Sequence, residues 1–252
     1  MSPDNIISHK NSTDNNNSKY SANTNKNNNN NITSLNIINA NNNNEEIIKL
    51  IEKDIEKYGV FLNENNIINR SQLYKNNQIG NEYDWSQIED ILSQKKIDLG
   101  EIIRCYVEVC IDQITNDSKI FIANDYIKNI IYYYSTNLTN KEKDIIHSKM
   151  VTLFMSIQDI CIDNFIMKEI MGYLLFVLIE NKLYFIKDLN NFIGMDIEII
   201  KTIAEVIKYT IISSEAKSKK FHNDFKQTKL FVDNSIFNDY VTNKIQDILN
   251  NL

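Results

Sequence analysis

One proline in 252 residues, five glycines, three cysteines and three histidines leave this chain short of the residue types from which tight loops, disulfide frameworks and most enzyme sites are built. Gly59, Gly80, Gly100, Gly172 and Gly194 stand too far apart to form a dinucleotide fingerprint or a phosphate loop. Cys105, Cys110 and Cys161 fall inside apolar helical patterns rather than a disulfide spacing, so they read as free buried thiols of a reducing compartment. His9, His147 and His222 are scattered, with no metal-ligand or catalytic spacing. No stretch approaches the ~18 uncharged apolar residues of a membrane helix, since Lys168, Glu169 and Glu180 interrupt the best one. The opening MSPDNIISHKNSTDNNN has no apolar core for a signal peptide. A net charge of −6 argues against binding nucleic acid through the overall field. These absences point to a cytoplasmic protein that is not an enzyme, with no cofactor, metal, membrane or small-molecule substrate.

Asparagine, isoleucine, lysine and tyrosine dominate what is present. Of the first 44 residues 18 are Asn, too few apolar groups to offset the entropy of ordering the chain, so residues 1–44 are expected to be a disordered leader. Residues 45–80 read as a short helix and a linker. Ile47, Ile48, Leu50, Ile51 and Ile55 form its stripe, Gly59 is the expected stop, and Val60 to Gly80 is the linker. Residues 81–252 read as a helical-repeat domain. Asp84 caps a short helix with Trp85 and Ile88, Asp98 opens a longer one, and residues 118–134 form a third. Thr139 and Glu142 make a capping box for the next. The stretch from Asp159 to Leu189 is the expected centre. Asp163 or Asn164 caps a helix apolar nearly all round, Phe165 included, which must be covered on more than one side. A turn at Glu180–Lys182 and a short helix over 183–193, stopped by Gly194, follow. Residues 196–213 form another helix, and Asn234 or Ser235 caps a last one. Successive helix pairs without strand alternation predict an all-α fold, a HEAT-like stack of antiparallel helices.

Two constellations carry chemistry. Asp159 and Asp163 lie one helical turn apart at a helix junction. That spacing suits amide capping, a metal or acid/base pair, or two exposed charges reading a basic partner surface. Lys217, Lys219 and Lys220, followed by Lys226 and Lys229 with Phe221 and Phe225 interleaved, suit RNA phosphates and stacking, or simply a solvated helix face. Tyr83 and Trp85 lead into a helix and read as core.

CYVEVCIDQITNDSK (105–119), HSKMVTLFMSIQDICID (147–163) and YLLFVLIENKLYFIKDL (173–189) resemble, in order, three helical stretches of the MA-3 domain of the eukaryotic translation initiation factor 4 gamma family. The family commonly carries Pro after the acidic residue that matches Asp163; here Asn164-Phe165 follow. The resemblance implies a scaffold that docks a DEAD-box RNA helicase of the initiation factor 4A type, with Asp163 and Asp159 as partner-binding residues. The alternatives are a general α-helical protein-protein interaction module unrelated to translation, and an RNA-binding helical repeat using the basic segment.

Overall fold

The computed structural model describes residues 42–64, 83–94, 97–162, 164–214 and 217–233. Among them the chain is helix and turn with no strand. The helices are α1 (Asn42–Glu64), α2 (Ser86–Gln94), α3 (Leu99–Gln113), α4 (Asp117–Ser135), α5 (Asn140–Met155), α6 (Ile157–Cys161), α7 (Phe165–Glu180), α8 (Ile197–Ser213), α9 (Ser218–Lys226) and α10 (Lys229–Asp233). A 3-10 segment, Ile186–Phe192, separates α7 from α8. The expected leader up to residue 41, the boundary at residue 80 and the helix after residue 234 lie outside the described residues.

The first helix is longer than its local pattern predicts. It starts at Asn42, inside the expected leader, and passes through Gly59 to Glu64, so Val60 opens no linker. Gly59 is buried, and a Cβ there would stand 3.2 Å from Cδ1 of Ile122 on α4. It therefore serves helix approach rather than termination. Ile47, Ile51, Ile55, Tyr58 and Leu62 recur at spacings of three and four, and all are buried. Each contributes about 1.5–3 kcal/mol by leaving water, as α1 packs on α3, α4 and α2.

Two carboxylates interrupt this apolar face. Asp54 accepts hydrogen bonds from the Tyr83 hydroxyl at 2.7 Å and the Tyr126 hydroxyl at 2.9 Å. Asp125 accepts from the Tyr58 hydroxyl at 2.6 Å and from Asn129 Nδ2 at 3.1 Å. Burial pushes both carboxyls above their ordinary range, and the tyrosine donors pull them partly back. Around them Tyr58, Tyr83, Trp85 and Tyr126 pack edge-on or tilted, with centroids 4.7–5.7 Å apart. Tyr83 and Trp85 are thus core, and they tie the stretch before α2 to α1 and α4.

Caps set the remaining ends. Asp98 accepts from the Glu101 amide, Asn116 from Lys119, and Thr139 and Glu142 form a reciprocal box. Asn164 caps α7, accepting from the Ile166 amide at 3.0 Å. From Met167 to Leu178 the rod is buried on nearly every side, against α8, α4, α6 and α3. Its closest neighbour is α8. A Cβ on Gly172 would lie 2.4 Å from Tyr209 Cβ and 2.7 Å from the Val206 carbonyl oxygen, so the two backbones all but touch there. The Thr210 hydroxyl seals the crossing by donating to the carbonyls of Gly172, at 3.0 Å, and Val206, at 2.9 Å.

The rod ends in a Schellman motif. Lys182 takes φ 61°, its amide reaches Ile179 O at 3.1 Å, and the Leu183 amide reaches Leu178 O at 2.9 Å. The short helix expected over 183–193 forms later and tighter, as the 3-10 segment Ile186–Phe192. Leu183 and Tyr184 are drawn into the core and Phe185 is extended. The Asp188 carboxylate takes the Phe185 amide at 3.0 Å, which favours tight 3-10 turns up to Gly194 at φ 81°.

Candidate protein-docking surface

The acidic candidate Asp159 lies on α6, whose course is set by a one-residue break. The Ser156 amide bonds back to Leu153 O at 3.1 Å, ending α5, while Ser156 O accepts from Ile160 at 3.1 Å and starts α6. The new helix turns Ile157, Ile160 and Cys161 into the core beside α8. Asp159 is left half-exposed, with no hydrogen bond or ion pair to any described residue. Its companion Asp163 lies outside the described residues.

Ile162 and Phe165 flank that junction at 67% and 75% exposure, among the highest values for large hydrophobic residues described. The apolar spacing predicts Phe165 within the rod's covered circumference, but it is the first residue of α7 and sits beyond the packed face. Two such side chains lie three and six positions after the Asp159 carboxylate, an exposed apolar pair next in sequence to a charge. Covering both would contribute roughly 3–6 kcal/mol before the costs of association.

A contact remote in sequence links two of the stretches that carry the resemblance. His147 Nε2 on α5 lies 2.8 Å from Asp188 Oδ2, the same oxygen that holds the Phe185 amide. The His147 ring meets Phe185 with centroids 5.0 Å apart, and the Lys187 ammonium sits 5.2 Å from the Phe185 centroid. Forty-one residues separate the pair, so no local spacing signals it.

The basic segment is more neutralised than its composition suggests. Lys217 pairs with Glu180 at the end of α7, and Lys220 lies 3.4 Å from Asp224. Lys219 is exposed on α9. Phe221 and Phe225, the candidates for stacking on bases, are each 1% exposed and pack into the core. They hold α9 against the bundle and have no free ring face to offer a nucleotide.

All three cysteines are buried free thiols, each pushed by burial to about 12, so they remain protonated at neutral pH. Among the described residues no group of three His, Cys, Asp or Glu side chains is placed to hold a metal ion. None of the described helices is long and apolar enough to cross a membrane. Comparison of the chain with protein-family models, with curated proteins and with solved structures returns no match.

Proposed function

We propose that this chain is a non-enzymatic scaffold or adaptor whose α6–α7 junction docks a DEAD-box RNA helicase of the initiation factor 4A type, in translation initiation or mRNA metabolism. The observation that carries the reading is the exposed pair Ile162 and Phe165, three and six positions after Asp159, whose carboxylate has no partner among the described residues. It coincides with the position at which the resemblance puts partner-binding acids. The architecture that goes with this proposal is a HEAT-like stack of antiparallel helix pairs. In its favour, the sequence neighbours α3 and α4 pack on each other, as do α7 and α8. A cytoplasmic location belongs to the same proposal.

The test is binding of the full chain to a purified helicase of that type, followed by biolayer interferometry. Phe165→Ser removes an anchor worth about 1.5–3 kcal/mol and is expected to weaken binding roughly 10- to 100-fold. Asp159→Lys is expected to weaken it more at low salt than at high salt, because rim charges act through a screened field. Binding unaffected by Phe165→Ser would remove the junction as the surface. No binding at about 50 µM would remove the helicase and leave a general helical interaction module.

A further inference from the structure

A recess lies between α1, the end of α3 and the start of α4. Ile55, Gly59, Val109, Ile114 and Ile122 line it, Val60 stands 54% exposed at its edge, and its volume is about 250 Å³. Ile122 packs 3.2 Å from where a Gly59 Cβ would stand, so Gly59 and Ile122 together form part of its wall. A hollow of this size exceeds the ~150 Å³ that holds a benzene ring but falls below the ~300 Å³ at which pockets take whole metabolites. It suits one large or two small aliphatic side chains inserted from outside.

The charges around it select the occupant. Glu52 and Glu56 stand one turn apart on α1 along the recess, and neither has a hydrogen bond or ion pair to a described residue. The negative end of the α3 dipole closes another side. Among the described lining residues the one ammonium, Lys119, is already engaged by the Gln113 carbonyl at 3.2 Å. An apolar hollow edged by two carboxylates without a partner among the described residues, and by helix-terminal carbonyls, complements apolar side chains flanked by cations.

We infer that this recess is a docking groove for a basic amphipathic helix of a partner protein. One of its aliphatic side chains fills the hollow at Gly59, and Lys or Arg residues a turn apart pair with Glu52 and Glu56. This is the helix-in-groove mode of recognition, in which the anchor supplies affinity and the rim charges supply register and association rate. The groove uses different helices from the α6–α7 junction, so it serves a second partner segment.

The probe is a fluorescein-labelled designed peptide of about sixteen residues, roughly four helical turns, with Leu on one face and Lys on the other. Anisotropy is measured with the full chain, beside a scrambled peptide of the same composition and an acidic version with Glu for Lys. The basic amphipathic peptide is expected to bind. Glu52→Lys with Glu56→Lys, and separately Val60→Glu, should each weaken binding at least about tenfold, with thermal unfolding unchanged. Reversing two exposed acids elsewhere, Asp144→Lys with Asp233→Lys, should weaken it far less. Equal binding of the scrambled or acidic peptide, equal loss in the control variant, or no binding at about 100 µM overturns the proposal. Concentration-dependent dimerisation of the chain alone, abolished by Val60→Glu, would assign the groove to a second copy and overturn it likewise.

Discussion

Substituting Gly172 by Ala tests the packing at the centre of the molecule with a single methyl group. Carbon atoms in contact settle at about 3.5–4.0 Å, whereas the new Cβ would begin 2.4 Å from Tyr209 Cβ. Both obstructions, that Cβ and the Val206 carbonyl oxygen 2.7 Å away, are anchored to the α8 backbone, so no rotamer change relieves them. Helices α7 and α8 must separate by about 1 Å, at the ~1–3 kcal/mol typical of overpacked cores. Separation also stretches the bond from Thr210 to Gly172 O, worth about 0.5–1.5 kcal/mol. Ala gains back about 0.8–1 kcal/mol of helix propensity. The net expectation is a loss of about 1–3 kcal/mol, or roughly 3–10 °C in Tm for a domain of this size. Gly100→Ala is the comparison. There the new Cβ would meet only side-chain atoms, Lys149 Cδ and the Asp98 Oδ1 that caps the Glu101 amide, each at 3.0 Å, so a shift of a few tenths of an ångström relieves both. That variant should stay within about 0.5 kcal/mol of the parent. Thermal unfolding by circular dichroism reads both. A Gly172→Ala protein as stable as the parent, or more so, would refute the close approach of α7 and α8.

Lys182→Gly relieves a left-handed residue that carries a Cβ, and should stabilise the chain by about 0.5–1 kcal/mol, seen as a higher urea midpoint with unchanged slope. Tyr126→Phe leaves buried Asp54 with one hydroxyl donor instead of two and should cost about 1–2 kcal/mol. Asp54→Ala, which orphans both the Tyr83 and the Tyr126 hydroxyls, should cost more. Equal midpoints for parent and both variants would sink the network as a fastening. Glu108, half-buried on α3, is pushed up to about 7 by burial first and by the Asp112 carboxylate second. A raised folded-state value means the native chain holds the proton more tightly than the unfolded one. The stability this contributes is present below about 4.5 and is lost as pH rises toward about 7. Glu108→Gln should therefore stabilise the protein at pH 8 by on the order of 1 kcal/mol, after allowance for solvent screening, and leave it nearly unchanged at pH 4. A Tm difference independent of pH would contradict that placement.

Helix and strand content was legible because it depends on short-range periodicity. The stripes at Ile51, Ile55 and Tyr58, at Ile102 and Tyr106, and at Ile170, Leu174 and Val177 turn inward as their spacing requires. Caps at Asp98, Thr139 and Asp196 depend on one side chain and an amide two or three residues on, so the sequence carries them outright. Phe165 was misplaced by the same logic, because periodicity assigns a face but says nothing about where the covering helix ends. Gly59 reads locally as a stop signal, and only the approach of Ile122, 63 positions further along the chain, explains why α1 runs through it. The pairing of His147 with Asp188, the burial of Phe221 and Phe225 and the groove beside Glu52 likewise depend on which helices meet. The sequence by itself determined the helices, their caps and the apolar centre, since each is decided within a few residues. The tertiary structure alone decided which carboxylates are fastened by tyrosines and which stay exposed, because exposure is set by side chains that are neighbours only after folding.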